Sequence, residues 1–94
     1  MTSESLERTY FNKYKEIMIK HLGSKALDDF TINRVGRKLF PAWGGVFPSD
    51  RVKLRPFHYI IINVDPHDKK GSHWLACYST NKRAYLWDST AALS

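Results

Sequence analysis

The chain is predicted to be an α+β protein, and three features carry the prediction. Its N-terminal stretch places apolar residues three to four apart, its last third consists of β-branched and aromatic runs, and its 94 residues allow a single core. With 43% hydrophobic, 14% aromatic and 26% charged side chains, the composition is that of a folded chain and not a disordered one. The expected architecture is an N-terminal helix, a second short helical stretch, a loop carrying Trp43, and a mostly antiparallel sheet of about three strands ending in a β-hairpin. All of it belongs to one domain, 1–94, with the helix in 1–23, a helical and loop segment in 24–57 and the sheet in 58–90.

Leu6, Tyr10, Tyr14, Ile17, Met18 and Leu22 recur at helical spacing and define one face of the first helix. Ser3 or Ser5 is placed to cap its start, Glu4 and Glu7 suit the positive end of its dipole, and Gly23 after Lys20 and His21 suits its end. Arg8, Lys13, Lys15, Glu16 and Lys20 read as a solvated face. Further on, Ser24 to Asp29 can open a short helix and Thr31 to Val35 can begin another, with Gly36 weighing against its continuation. From Phe40 to Asp50, two prolines and the pair Gly44 and Gly45 argue against a long regular element. A loop with Trp43 and Phe47 as packing anchors is expected there.

Tyr59 to Val64 is a continuous β-branched and aromatic run, the mark of a strand buried on both faces. His73 to Ser79 and Arg83 to Asp88 are two more such runs, joined through Thr80, Asn81 and Lys82 as a hairpin. Asp65 to Ser72, with Pro66 and Gly71, is expected to form an exposed turn before them.

Fifteen Lys and Arg against nine Asp and Glu give a formal charge of +6, and the pI is near 9.6, so polyanions are natural partners. Arg34, Arg37, Lys38, Arg51, Lys53, Arg55, Lys69, Lys70, Lys82 and Arg83 fall in loops or at turn edges, with Trp43, Phe47 and Phe57 interleaved. No recognition motif accompanies them, so the alternative function they support is a small basic nucleic-acid-binding module making salt-sensitive backbone contacts. Cys77 is the only cysteine, which excludes an internal disulfide and a Cys-rich zinc site. The N-terminus lacks a signal-peptide pattern and no apolar run approaches the roughly 20 residues of a membrane span, so no membrane partner is expected and an intracellular location is.

The pair with chemical potential is His73 and Asp88. His73 stands at the mouth of its strand and Asp88 at the far end of the partner strand, so hairpin pairing brings both to one end of the sheet. If Asn81 and Lys82 form a two-residue turn, Asp88 lies opposite Leu75 on the face of His73, a diagonal neighbour at about 7–8 Å between Cα atoms. A one-residue slip would put it opposite Ala76 on the other face. A carboxylate on one ring nitrogen fixes the imidazole tautomer and leaves the other nitrogen to serve a nucleophile; the same pair also reads as an ion pair finishing a strand end. Cys77 is four positions along the same strand from His73, roughly 13 Å at 3.3 Å per residue, and is read as a buried small hydrophobe and not a nucleophile. His58, Asp65, His67, Asp68 and His73 supply metal-ligating groups in a short span, but Asp65 to Asp68 is better explained as turn chemistry, so no metal site is expected.

Gly71-Ser72-His73-Trp74-Leu75-Ala76-Cys77-Tyr78, followed by Tyr85-Leu86-Trp87-Asp88-Ser89, resembles the histidine and acidic strands of the adenovirus-type (adenain-like) cysteine endopeptidases and their relatives, the Ulp/SENP deSUMOylating proteases. Phe40-Pro41 to Asp50 and the Ile60 to Val64 strand fall where that family has its substrate-side loop and the strand before the histidine, so the resemblance spans roughly residues 24 to 90. It implies an incomplete papain-like core, with His73 as general base, Asp88 as its orienting group, Trp74 packing beside the site and Trp43 on the substrate side or in packing. The family's nucleophilic cysteine, followed by glycine, and its oxyanion glutamine lie downstream of the acidic residue; here Ser94 follows Asp88 by six positions and Cys77 matches neither. The expected function is therefore a cysteine-type endopeptidase fragment, acting on viral precursors or ubiquitin-like conjugates and inactive alone. The resemblance also implies a protein or peptide substrate, DNA as an activating polyanion with no other cofactor required, and a location in the host cytoplasm or nucleus or in a virion. A chain this short buries only about 60–65% of its unfolded surface, so an exposed sheet face, self-association or reliance on a missing C-terminal half is expected.

Overall fold

Helix α1, Ser3–Leu22, forms where the apolar spacing predicts, but its buried stripe is Phe11, Tyr14, Met18 and Leu22, while Leu6 and Tyr10 of the expected face are 41% and 49% exposed. The structure, a computed structural model, describes residues 2–23, 28–64 and 73–89. Thr2, and neither Ser3 nor Ser5, caps α1: the helix begins earlier than its apolar stripe, and Thr2 Oγ1 accepts from the Ser5 N–H at 3.1 Å. Gly23 ends it at φ 65°, with its N–H donating to the Ile19 carbonyl. Glu7 is buried, accepting from the Tyr85 hydroxyl at 2.8 Å and from Arg83 at 3.4 Å, so it ties the helix to the sheet and is more than a dipole partner.

Helix α2, Asp29–Leu39, covers the second short-helix expectation, Thr31 to Val35, and extends beyond it. Asp28 caps it, and hydrogen bonds to the capping carboxylate, led by the Thr31 N–H, hold its pKa below the ordinary value. The helix continues through Gly36 because that residue faces the Trp43 indole, which a Cβ would overlap. Residues 24–27, part of the first short-helix expectation, lie outside the described residues.

The sheet has four strands in the order β1-β2-β3-β4, one more than expected: β1 Trp43–Pro48, β2 His58–Asn63, β3 Trp74–Ser79 and β4 Ala84–Asp88. The addition is β1, at the place where a loop is expected. It pairs in parallel with β2, with an irregularity between Trp43 and Gly45. The glycines that argue against a strand make this one workable: Gly45 adopts φ 118°, and a Cβ on Gly44 would lie 2.7 Å from Ile60 Cγ2. β2, β3 and β4 are antiparallel, as expected. The turn Asp65 to Ser72 lies outside the described residues.

Two apolar clusters sit on opposite faces of the sheet. The larger joins α1 and Ile32 of α2 to Ile61, Trp74, Ala76, Tyr78 and Tyr85, with the Tyr14 hydroxyl donating to the Ile60 carbonyl at 2.8 Å. The smaller contains Ile60, Ile62 and Cys77, packed by Phe47, Val52, Val64 and Leu75, with no helical residue among its members. β2 is thus buried on both faces, and the second face is less open than expected because the chain after β1 lays Val52 across it. Leu86, on that face opposite Cys77, remains 57% exposed. None of the described helices is long and apolar enough to cross a membrane.

Candidate active site

The hairpin register fixes what the sequence left open between two alternatives. Leu75 pairs with Asp88 and Ser79 with Ala84, and Thr80 N–H donates to the Arg83 carbonyl at 2.8 Å, so Asn81 and Lys82 form the two-residue turn. Asp88 therefore shares the face of Leu75, two residues from His73. His73 Nε2 lies 3.2 Å from Asp88 Oδ2, with the side chains 29% and 46% exposed. The imidazole is thus shielded on one side yet reachable, on the face that the two helices leave uncovered.

Two neighbours hold this end of the sheet. Trp74 is 2% exposed and belongs to the opposite, helix-covered face, where its ring lies 5.6 Å from that of Trp87. It anchors the residue after His73 into the main core. The Trp74 backbone N–H donates to Ser89 Oγ at 3.0 Å, where the register would next pair Trp74 with residue 89. Ser89 is buried and replaces a ladder carbonyl with a hydroxyl. Sequence reasoning gave Ser89 no role; the usable signal is that a two-residue turn places it directly opposite Trp74. The Trp74 indole N–H is buried and finds no acceptor among the described residues.

The remaining candidates are not brought to this pair. Trp43 starts β1, two strands from β3 and beside Tyr59 near the other end of β2, and its indole N–H donates to Asn33 Oδ1 at 2.7 Å. It is a packing residue joining β1 to α2. Cys77 is buried in mid-strand between Ile60 and Leu86, and burial pushes its thiol up to about 11. A thiol so disfavoured as thiolate does not match a nucleophile. His58 pairs with Ser79 at the end of the β2–β3 ladder away from His73, and its ring Nδ1 lies 2.9 Å from the Pro56 carbonyl. Asp65, His67 and Asp68 lie outside the described residues, and among those described no three metal-ligating groups converge.

The basic residues divide by location. Arg34, Arg37 and Lys38 line the exposed side of α2, whereas Arg55, Lys82 and Arg83 border a cleft of about 350 Å³ at the hairpin turn. Arg83 is already engaged by Glu7, at 3.4 Å, and by Glu4, at 4.0 Å. Lys69 and Lys70 lie outside the described residues. No family model, curated protein or solved structure matches this chain.

Proposed function

We propose that this chain supplies the general-base half of a cysteine endopeptidase of the adenovirus-type or Ulp/SENP kind, and that it is silent without a nucleophile from elsewhere. The observation that carries the reading is the 3.2 Å contact between His73 Nε2 and Asp88 Oδ2, on the sheet face that the described helices do not cover. With Nε2 held by the carboxylate, Nδ1 is the nitrogen that takes the proton of an incoming thiol. The thiolate then attacks a peptide carbonyl, the imidazolium returns its proton to the departing amine, and water releases the acyl group. Asp88 stabilises the imidazolium throughout. Cys77 cannot take the sulfur's part, being buried, poorly ionised and followed by Tyr78 where the family has glycine.

Viral precursor proteins and ubiquitin-like conjugates with a Gly-Gly tail are the substrate classes this reading names. The test adds a polypeptide bearing the family's glutamine and Cys-Gly helix, in trans or as a C-terminal extension, and follows cleavage of a Gly-Gly peptide. The chain alone is expected to cleave nothing, the combination to cleave, and His73→Ala to abolish it. Cleavage by the chain alone that depends on Cys77, or a folded combination indifferent to His73, contradicts the proposal.

A second reading, nucleic-acid backbone binding, is favoured by Arg55 and Lys82 beside the hairpin cleft, with exposed Leu54 at its rim. It is compatible with DNA acting as an activating polyanion. Binding of a single-stranded oligonucleotide that weakens steeply with salt and with the double variant Arg55→Glu, Lys82→Glu is expected; salt-independent binding excludes it.

A further inference from the structure

Helix α2 carries on its outer side a pattern that the core does not require. Ile32 and Gly36 face inward. Phe30, Asn33, Arg34, Arg37 and Lys38 stand at the i, i+3, i+4, i+7 and i+8 spacing of a single stripe on the other side. Phe30 is 76% exposed, more than any other large hydrophobic residue among those described. Arg34, Arg37 and Lys38 form no ion pair among the described residues.

A single exposed aromatic residue needs no explanation, but two open clefts meet at this one. A cleft of about 240 Å³ is bounded by Phe30, Asn33 and the three cations. Another, of about 370 Å³, runs from Asp29 and Phe30 across to Gly44–Phe47 of β1. β1 is an edge strand, paired on one side with β2 and flanked by no strand on the other among the described residues. The walls are held in place: Asn63 Nδ2 donates to Asp29 Oδ1 at 2.6 Å, the Trp43 indole donates to Asn33, and Asp28 caps the helix. A surface fixed in this way loses little entropy when it is occupied.

We propose that the outer face of α2 and the open edge of β1 together form a docking surface for an extended acidic peptide segment with an apolar residue at one end. The apolar side chain packs against Phe30 and Phe47, and the following carboxylates meet Arg34, Arg37 and Lys38, while edge backbone groups of β1 are available for strand pairing. The charge distribution selects a peptide over a nucleic acid. The β1 end of the joined clefts is apolar and carries Asp29, with Asp28 next to it, whereas the cations lie only at the far end. A uniformly anionic phosphate chain would run past both carboxylates; a peptide acidic at one end matches each part. The surface adjoins the edge strand opposite β4 and does not depend on the peptidase reading.

The test is fluorescence anisotropy of the full chain with a dye-labelled synthetic peptide in which an apolar aromatic segment precedes a run of glutamates. Saturable binding is expected, weakened about tenfold or more by Phe30→Ala and by the double variant Arg34→Glu, Arg37→Glu. Arg55→Glu with Lys82→Glu should leave it unchanged. The altered side chains are exposed, and circular dichroism of each variant should match the parent. Three results overturn the proposal: no saturable binding, equal binding of a glutamate peptide lacking the apolar segment, or tighter binding of a single-stranded oligonucleotide that depends on the same α2 residues.

Discussion

Ser89 does no chemistry in the proposed reaction, yet it accepts the buried N–H of the residue that follows His73. Ser89→Ala leaves that N–H without its partner in a site closed to water, at a cost of about 1–3 kcal/mol. Urea unfolding should show a lower midpoint at unchanged slope, and the Trp74 amide should exchange faster with solvent. Cys77 gives the second prediction at this scale. Burial raises its thiol from 9.0 to about 11, and raises Tyr14, Tyr59 and Tyr78 in the same direction. Above pH 9 the unfolded thiol loses its proton while the folded one keeps it, so stability falls as pH rises from about 9 to 11. The thiol's share is roughly 2–3 kcal/mol at the upper end. Denaturant titrations across that range should show the decline, Cys77→Ala should lessen it, and the native thiol should react slowly with a maleimide at pH 8. Fast native labelling contradicts the buried reading.

Among the elements, β1 and the length of α2 beyond its expected start are what the sequence hid. α1 and the three antiparallel strands were legible because their apolar residues follow periods of 3.6 and 2 or form continuous buried runs. β1 follows neither: Gly44 and Gly45 interrupt it, Pro48 ends it, and it becomes a strand through parallel pairing with β2 and a local irregularity. α2 looked broken at Gly36 because helix propensity alone disfavours glycine, whereas the deciding term is the Trp43 indole seated against it. Gly36→Ala therefore reverses the usual preference. The gain of about 1 kcal/mol in helix propensity is outweighed by overlap with the indole, and a net loss of about 1–3 kcal/mol is expected in thermal or denaturant unfolding. A stabilised variant would show that Trp43 has room to move.

For the whole molecule, the division of labour between the two sheet faces matters most. Both helices serve the face of Trp74, and His73, Asp88 and exposed Leu86 share the other. Under the proposed peptidase reading a nucleophile-bearing segment approaches from that second face, so Leu86→Glu should leave unfolding within about 0.5 kcal/mol of the parent while lowering cleavage in the reconstituted assay. Equal cleavage would place the approach elsewhere. The candidate pair itself was legible, because strand order and a two-residue turn dictate which side chains meet. Ser89 was not, because its contribution is an acceptor for a backbone group, and only its place opposite Trp74 in the register of a two-residue turn points to it. The long-range 1H–15N spectrum of the His73 imidazole, recorded for the parent chain and for Asp88→Asn, tests the central claim most directly. For the neutral form of the ring the account predicts the proton on Nε2 in the parent, with Nδ1 bare, and loss of that single tautomer in the variant. A ring protonated on Nδ1, or a spectrum that the Asp88 substitution leaves unchanged, would contradict it.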